Sequence, residues 1–434
     1  MKKLCFLLLA IGHLQIICAQ SVAINNTNTG PASSAILDVS STQKGLLIPR
    51  MSTTERTGIA TPNNGLLVFD NDTNSFWFYG NSAWTQISTS NSGWNLSGNT
   101  ATSAGSFIGT TDNLPLRFKT NNQWSGEINP LTTNIFLGPL SGNASVTGVA
   151  NTAIGGSSLG NNTSGQFNVS FGINTMANNL SGSYNAAIGE RVLQFNTGSY
   201  NTGLGAEALR NNSNGTNNVA VGSFALYNNT QGFFNTAVGY NSLLNTAVGT
   251  TLTCLGYNAD VNGEFYSNST AIGASARVDA SNKVRVGSTT VSSIGGQVGW
   301  STFSDGRYKQ QVKEDVPGLA FIRMLRPVTY TVDLAGLDQY FKTSLHQQPS
   351  IKRESGFIAQ EVEAAAQKNG FSFSGVDTPK NPDGLYALRY ADFVVPLVKA
   401  LQEQQAIIEA QQTKMNAMEK RLEKLEATLL PGSK

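Results

Sequence analysis

Apolar and polar positions fall into three regimes along the chain. Between residues 35 and 90, short apolar runs alternate with turn signals. The runs 35–39, 45–50 and 65–69 predict short strands, and Asp70, Asn71 and Asp72 turn the chain into the return limb of a hairpin at 75–80. Between 150 and 290 the pattern becomes periodic. Glycines closing an apolar pair stand at Gly155, Gly172, Gly189, Gly205, Gly222 and Gly239, with spacings of 17, 17, 16, 17 and 17. Just before them sit Ile154, Phe171, Ile188, Leu204, Val221 and Val238. A second apolar column runs Leu159, Met176, Leu193, Leu209, Leu226 and Leu243, and a polar one Asn168, Asn185, Asn201, Asn218 and Asn235. One such unit cannot bury its own apolar side chains, but a stack aligns both columns into a continuous interior, which is a solenoid. Asn and Gly serve its turns because both tolerate positive φ, and stacked Asn side chains can bond from coil to coil. Spacings of 10 and 7 at Gly249 and Gly256 predict a break, with weak resumption at 269–273 and 283–287.

The third regime is mixed. Residues 319–325 predict a short helix and 327–333 a strand. Val394, Leu401, Ile408, Met415, Leu422 and Leu429 then recur every seven residues, with Leu397, Gln404, Gln411, Met418 and Leu425 three places on. That is a coiled-coil seam, with Lys399, Glu403, Glu419 and Lys424 outside it. The expected fold is mostly β: a short-repeat β-solenoid or β-roll shaft, then a small α+β domain and a C-terminal coiled-coil helix. Its divisions are expected at 1–19, 20–149, 150–290, 300–392 and 393–430.

Charge sharpens the last boundary. Residues 20–300 hold 21 charges in 281 positions, whereas residues 301–434 hold 33 in 134. The whole chain carries a net charge of +2, which argues against a nucleic-acid partner. Cys254 is the one cysteine outside the first twenty residues and His346 the one histidine, so no disulfide framework, metal site or cofactor is expected. A Ser-His-Asp triad would rest on His346 alone.

Lys2 and Lys3 precede an apolar run and a small residue at Ala19, which describes a secretory signal. No later stretch is long and apolar enough to span a membrane. The mature protein is therefore expected outside the cell or at its surface. The aromatics Phe76, Phe78 and Trp84 read either as a sugar-stacking platform or as the filling of a small β core, with the core favoured. This N-terminal stretch resembles that of exported fibre-like proteins of Bacteroidetes.

The Asn-Thr-Ala-Ile-Gly and Asn-Thr-Ala-Val-Gly units resemble the head repeats of trimeric autotransporter adhesins, in which three β-rolls pack side by side. The shaft then reads as a surface for a host-surface or glycan ligand or as a passive spacer, and the sequence leaves both open. A polysaccharide hydrolase would need paired carboxylates on a groove. Residues 150–260 offer only Glu190, Glu207 and Asp260.

The charged region opens on Ser304, Asp305, Arg307 and Lys309, with Gly-Phe-Ile-Ala-Gln-Glu at 356–361. This combination resembles the endosialidase-type intramolecular chaperone, a self-cleaving C-terminal domain of phage tail spikes and fibres. The resemblance implies a serine–lysine dyad. Ser304 would be the nucleophile, Lys309 its base, and the cut would fall between Phe303 and Ser304. Asp305 and Arg307 would support it. A lysine accepts a proton only when neutral, and an exposed one is neutral at pH 7 about once in a few thousand molecules. Lowering a lysine pKa to roughly 7–8 takes about 3–5 kcal/mol of desolvation and like-charge repulsion. Arg307 is the candidate for the repulsion and a packed trimer for the desolvation. The function expected is a homotrimeric exported fibre whose C-terminal domain assists folding and then releases itself. In the alternative the domain stays uncut as a trimeric base for an adhesin.

Overall fold

The computed structural model describes residues 21–87, 98, 102–346, 348 and 350–429, in two units, Met1–Gly109 and Thr110–Lys434. The expected leader lies outside the described residues.

In the first unit, Val22–Ile24 pairs in parallel with Leu37–Val39. Arg50–Met51, Leu67–Asp70, Ser75–Gly80 and Ala83–Gln86 form a separate four-stranded sheet. Ser52 opens the short helix Thr53–Thr57 with a reciprocal cap, its side chain accepting from the Glu55 N–H while the Glu55 carboxylate takes the Ser52 N–H. That helix delivers Arg56 to Asp70, with Nε 2.8 Å from Oδ2 and both side chains buried. The guanidinium lies 3.8 Å from the Trp77 ring centroid. Phe76 and Phe78 do not fill a core: they are 46% and 39% exposed, because strand alternation turns them to the opposite face from Trp77.

The second unit begins with a long ladder. Leu116–Thr120, Gln123–Asn129 and Asn134–Leu137 run antiparallel. From Asn134–Leu137 onward every rung is parallel, through Thr152–Ile154 and each following coil to Val284–Val286. The sheet therefore starts well before residue 150. The expected break is also absent. Val238 pairs with Leu255 and Leu255 with Ile272, so Gly239, Gly256 and Gly273 keep the 17-residue step. Gly249 belongs instead to the turn column of Gly215 and Gly232, whose carbonyls receive the ladder asparagines.

One of the two apolar columns faces the other way from expectation. The residues inside each strand are Ala153, Ser170, Ala187, Gly203, Ala220, Ala237, Cys254 and Ala271, all of them buried. Their neighbours Ile154, Ile188, Leu204 and Val238 point outward and are 38–47% exposed. The column from Leu159 to Leu243 does fill the interior, at 0% exposure. Small residues opposite Leu or Met leave a thin core. Each buried leucine contributes roughly 1.5–3 kcal/mol, against a left-handed backbone (φ 51–53° at the five leucines) that costs about 1–2 kcal/mol per residue.

Asparagines supply the rest. The side-chain amide of Asn201 donates to the Gly215 carbonyl, while its oxygen accepts from the backbone and side-chain N–H of Asn218. The same pattern runs through buried Asn134, Asn151, Asn168, Asn185, Asn218 and Asn235. A second ladder, unforeseen in the sequence, stacks Asn162, Asn179, Asn196, Asn212 and Asn229. It stops where Thr246 takes the next place, leaving Asn229 Oδ1 and Thr246 Oγ1 without partners. Outside, Phe167, Tyr184 and Tyr200 stack at centroid separations of 4.9 and 5.0 Å.

The C-terminal region is α+β. Val328–Tyr330 pairs antiparallel with Glu354–Gly356, and Val376–Asp377 with Ala387–Leu388. Helices Leu334–Phe341 and Ala359–Lys368, which the sequence pattern did not reveal, lie between them in the chain. Asp333 starts the first by accepting from the Gly336 N–H. Phe321, Val362, Ala365, Ala366 and Phe393 form a second core. Helix Val394–Leu429 follows, and among the described residues no helix is long and apolar enough to cross a membrane.

Candidate functional site

Residues 290–315 are exposed throughout, and their one regular element is the turn Gly306–Tyr308. That turn has a local cause. The Asp305 carboxylate accepts from the Arg307 N–H at 2.9 Å, and the carbonyls of Asp305 and Gly306 take the N–H groups of Tyr308 and Lys309. The reversal brings the side chains five residues apart together, with Lys309 Nζ donating to Ser304 Oγ at 2.7 Å. Phe303, just ahead of the serine, is fully exposed.

Arg307 does not repel the Lys309 ammonium as expected. Its guanidinium is bound by two N–H groups to the Asp305 carboxylate, Nη2 lying 2.6 Å from Oδ2. That hydrogen bonding holds the Asp305 carboxyl below its usual range. Two opposite charges that close present little net field to a neighbour. Desolvation of the lysine must therefore come from outside this segment. Where it could come from is visible in the surroundings: Thr302 and Lys309 line an open groove of about 620 Å³ with Phe371, Phe373, Asp392, Val395 and Pro396. The groove thus runs along the foot of the long helix.

That helix carries its own unmet requirement. Only its first turns pack on the domain, where Pro396 and Ala400 are buried and the Glu403 carboxylate accepts from the Leu319 N–H at 2.7 Å. The seam residues Leu401, Ile408, Met415, Leu422 and Leu425 are 48–67% exposed in the single chain. A stripe of that length and heptad spacing is what one half of a coiled coil presents.

The other residues singled out in the sequence have separate roles. His346 is tied to Asp338, Nδ1 to Oδ1 at 3.2 Å, rather than to Ser304. Glu207 pairs with Arg210 at 3.2 Å and Arg191 lies 3.5 Å from both Glu190 and Glu207. Asp260 is buried against Arg277 at 3.0 Å. Burial, and next the nearby Asp260 charge, push the Cys254 thiol pKa far up. In the 356–361 motif, a Cβ at Gly356 would lie 2.4 Å from the Tyr390 hydroxyl, so the glycine lets that side chain come close. Tyr390 in turn accepts from the Phe357 N–H, and Glu361 is paired with Arg326.

Comparison with known families agrees with this layout. Residues 23–103 match the model described as the phage tail like trimerisation region, and residues 304–371 match the one described as the chaperone of endosialidase. No curated protein and no solved structure matches the chain. The C-terminal resemblance to the endosialidase chaperone is thus borne out, and the two matches support a self-associating, trimeric fibre protein with a chaperone domain.

Proposed function

We propose that this chain is an exported trimeric fibre whose C-terminal domain guides assembly and then severs its covalent link to the shaft by cutting the Phe303–Ser304 bond, the step that permits its release. The observation that carries the reading is the 2.7 Å contact between Ser304 Oγ and Lys309 Nζ, in an exposed segment immediately after the scissile bond. Because Ser304 itself supplies the scissile nitrogen, its Oγ attacks the carbonyl carbon of the residue before it. The hydroxyl proton passes to the Lys309 amine, and collapse of the adduct breaks the C–N bond. The departing Ser304 amine takes the proton back. An ester between the Phe303 carbonyl and Ser304 Oγ remains, which water hydrolyses to a free Phe303 carboxylate and the Ser304 hydroxyl.

Only a neutral amine can take the hydroxyl proton, and desolvation favours that form. Seating three helices along their seam would bring further chains against the groove at their foot, where Lys309 lies. That supplies the missing desolvation and couples the cut to assembly. The apolar outer face of the shaft, with Ile154, Ile188, Leu204 and Val238, is a second surface suited to neighbouring copies.

The experiment is a denaturing gel with N-terminal sequencing of the smaller band. Wild type should yield a fragment starting at Ser304, and Ser304→Ala and Lys309→Ala should each slow its appearance by at least about 100-fold. Intact wild-type chains after full assembly would leave the domain as an uncut trimeric base.

A further inference from the structure

We propose that the C-terminal fragment stays docked on the end of the shaft after the cut, so that scission and release are separate steps. The inference rests on the self-cleavage reading for its biological setting, but the docking surface stands on its own geometry.

The bond between Phe303 and Ser304 lies in a stretch, 290–315, that is exposed at every residue. Breaking it removes no packed contact. The contacts that join the two sides lie elsewhere, between the last coils of the solenoid and the α+β domain. Asn262 Nδ2 donates to the Tyr340 carbonyl at 3.3 Å, and Asn381 Nδ2 to the Asp279 carbonyl at 3.1 Å. Lys283, with a side chain only 10% exposed, sits between Asp279 at 3.4 Å and Asp377 of the domain at 3.7 Å. Arg389 closes on the other side of Asp377 at 3.1 Å. Opposite charges therefore alternate across the joint, partly withdrawn from solvent, where pairing persists better than on an open surface.

Apolar groups complete the joint. Val286, in the last strand of the ladder, shares a cavity of about 330 Å³ with Leu337, Phe341 and Leu385 of the domain. The final strand Val284–Val286 has no further rung beyond it among the described residues. A solenoid end of this kind needs a cap, because an open edge templates pairing with other chains. At that end the domain meets the side formed by Val286, Gly287 and Ser288, which line the shared cavity. Its partner is thus the terminal coil of this same chain, held by ion pairs and side-chain amides.

The test separates this inference from self-cleavage by using an added protease. In full-length Ser304→Ala protein, a site-specific protease sequence placed within 290–300 is cut, and size-exclusion chromatography reads whether the fragments co-elute. Co-elution at 0.1 M NaCl with loss towards 1 M supports the proposal. So does at least a tenfold rise in free C-terminal fragment at 0.1 M NaCl in Asp377→Lys, with a smaller rise in Asn381→Ala, which only truncates a contact and serves should the first variant misfold. Separation of the unaltered fragments at 0.1 M NaCl overturns it. Retention indifferent to salt and to both substitutions overturns it as well.

Discussion

The solenoid and the segment from Ser304 through the last helix obey opposite rules. Each coil of the solenoid satisfies itself within one chain: the Asn ladders, the glycine column and the buried Leu column find their partners one coil away. The exposed turn at Ser304–Lys309 and the last helix beyond its first turns find few, although the domain between them has its own core. The Ser304–Lys309 pair lies in solvent, and the seam residues are about half to two-thirds exposed. The solenoid interior is completed within one chain, whereas the helix seam leaves apolar positions that further copies would cover. A reaction that waits for the second condition reports on assembly, which the first cannot do.

The comparison breaks first at the glycines. Gly222 has φ +126°, and a Cβ there would sit 2.6 Å from the backbone of Gly239. Gly222→Ala should cost about 3 kcal/mol or more and lower the midpoint of thermal unfolding of the shaft. A shaft that melts unchanged would mean the coils are not in this register. Next comes the ladder. Asn201→Ala leaves the Asn218 backbone N–H buried without a partner and removes one of the two amides that donate to the Gly215 carbonyl, the Asn212 amide being the other. The expected loss is about 1–3 kcal/mol in chemical denaturation. Were the loss no larger than for a surface asparagine, the interior would be hydrated.

The smallest effect is in the first unit. Burial alone would raise the Asp70 carboxyl, but the Arg56 guanidinium, the Thr73 and Asp72 N–H groups and the Thr53 hydroxyl hold it well below the usual range. A carboxyl depressed in the folded state stabilises fully above its unfolded pKa of about 3.9. That contribution disappears as pH falls from there through the folded value. Asp70→Asn should flatten the acid limb of a stability–pH curve and lower stability at pH 7; an unchanged acid limb would contradict the pairing.

Much of this was legible in the sequence, and the failures have physical reasons. Glycine spacing revealed the coil length because only glycine meets both the positive φ and the backbone approach. The outward column was misassigned because alternation turns Ile154 out when Ala153 turns in, and Ala, Ser and Gly give no hydrophobic signal. The supposed break came from merging two glycine columns. The ladder through Asn162 and Asn179 was hidden among many turn asparagines. Ser304 and Lys309 were found through a family pattern, whereas the Asp305–Arg307 pair that neutralises the expected repulsion needed geometry.

Dependence of the cut on assembly is most directly measured by weakening the seam. In a chain carrying Leu401→Asp and Ile408→Asp, sedimentation gives the oligomeric state and a gel gives the rate at which the Ser304 fragment appears. Variant chains that sediment as monomers should remain intact over the period in which wild-type trimers are fully cut. Monomers that cut at the trimer's rate would contradict that dependence.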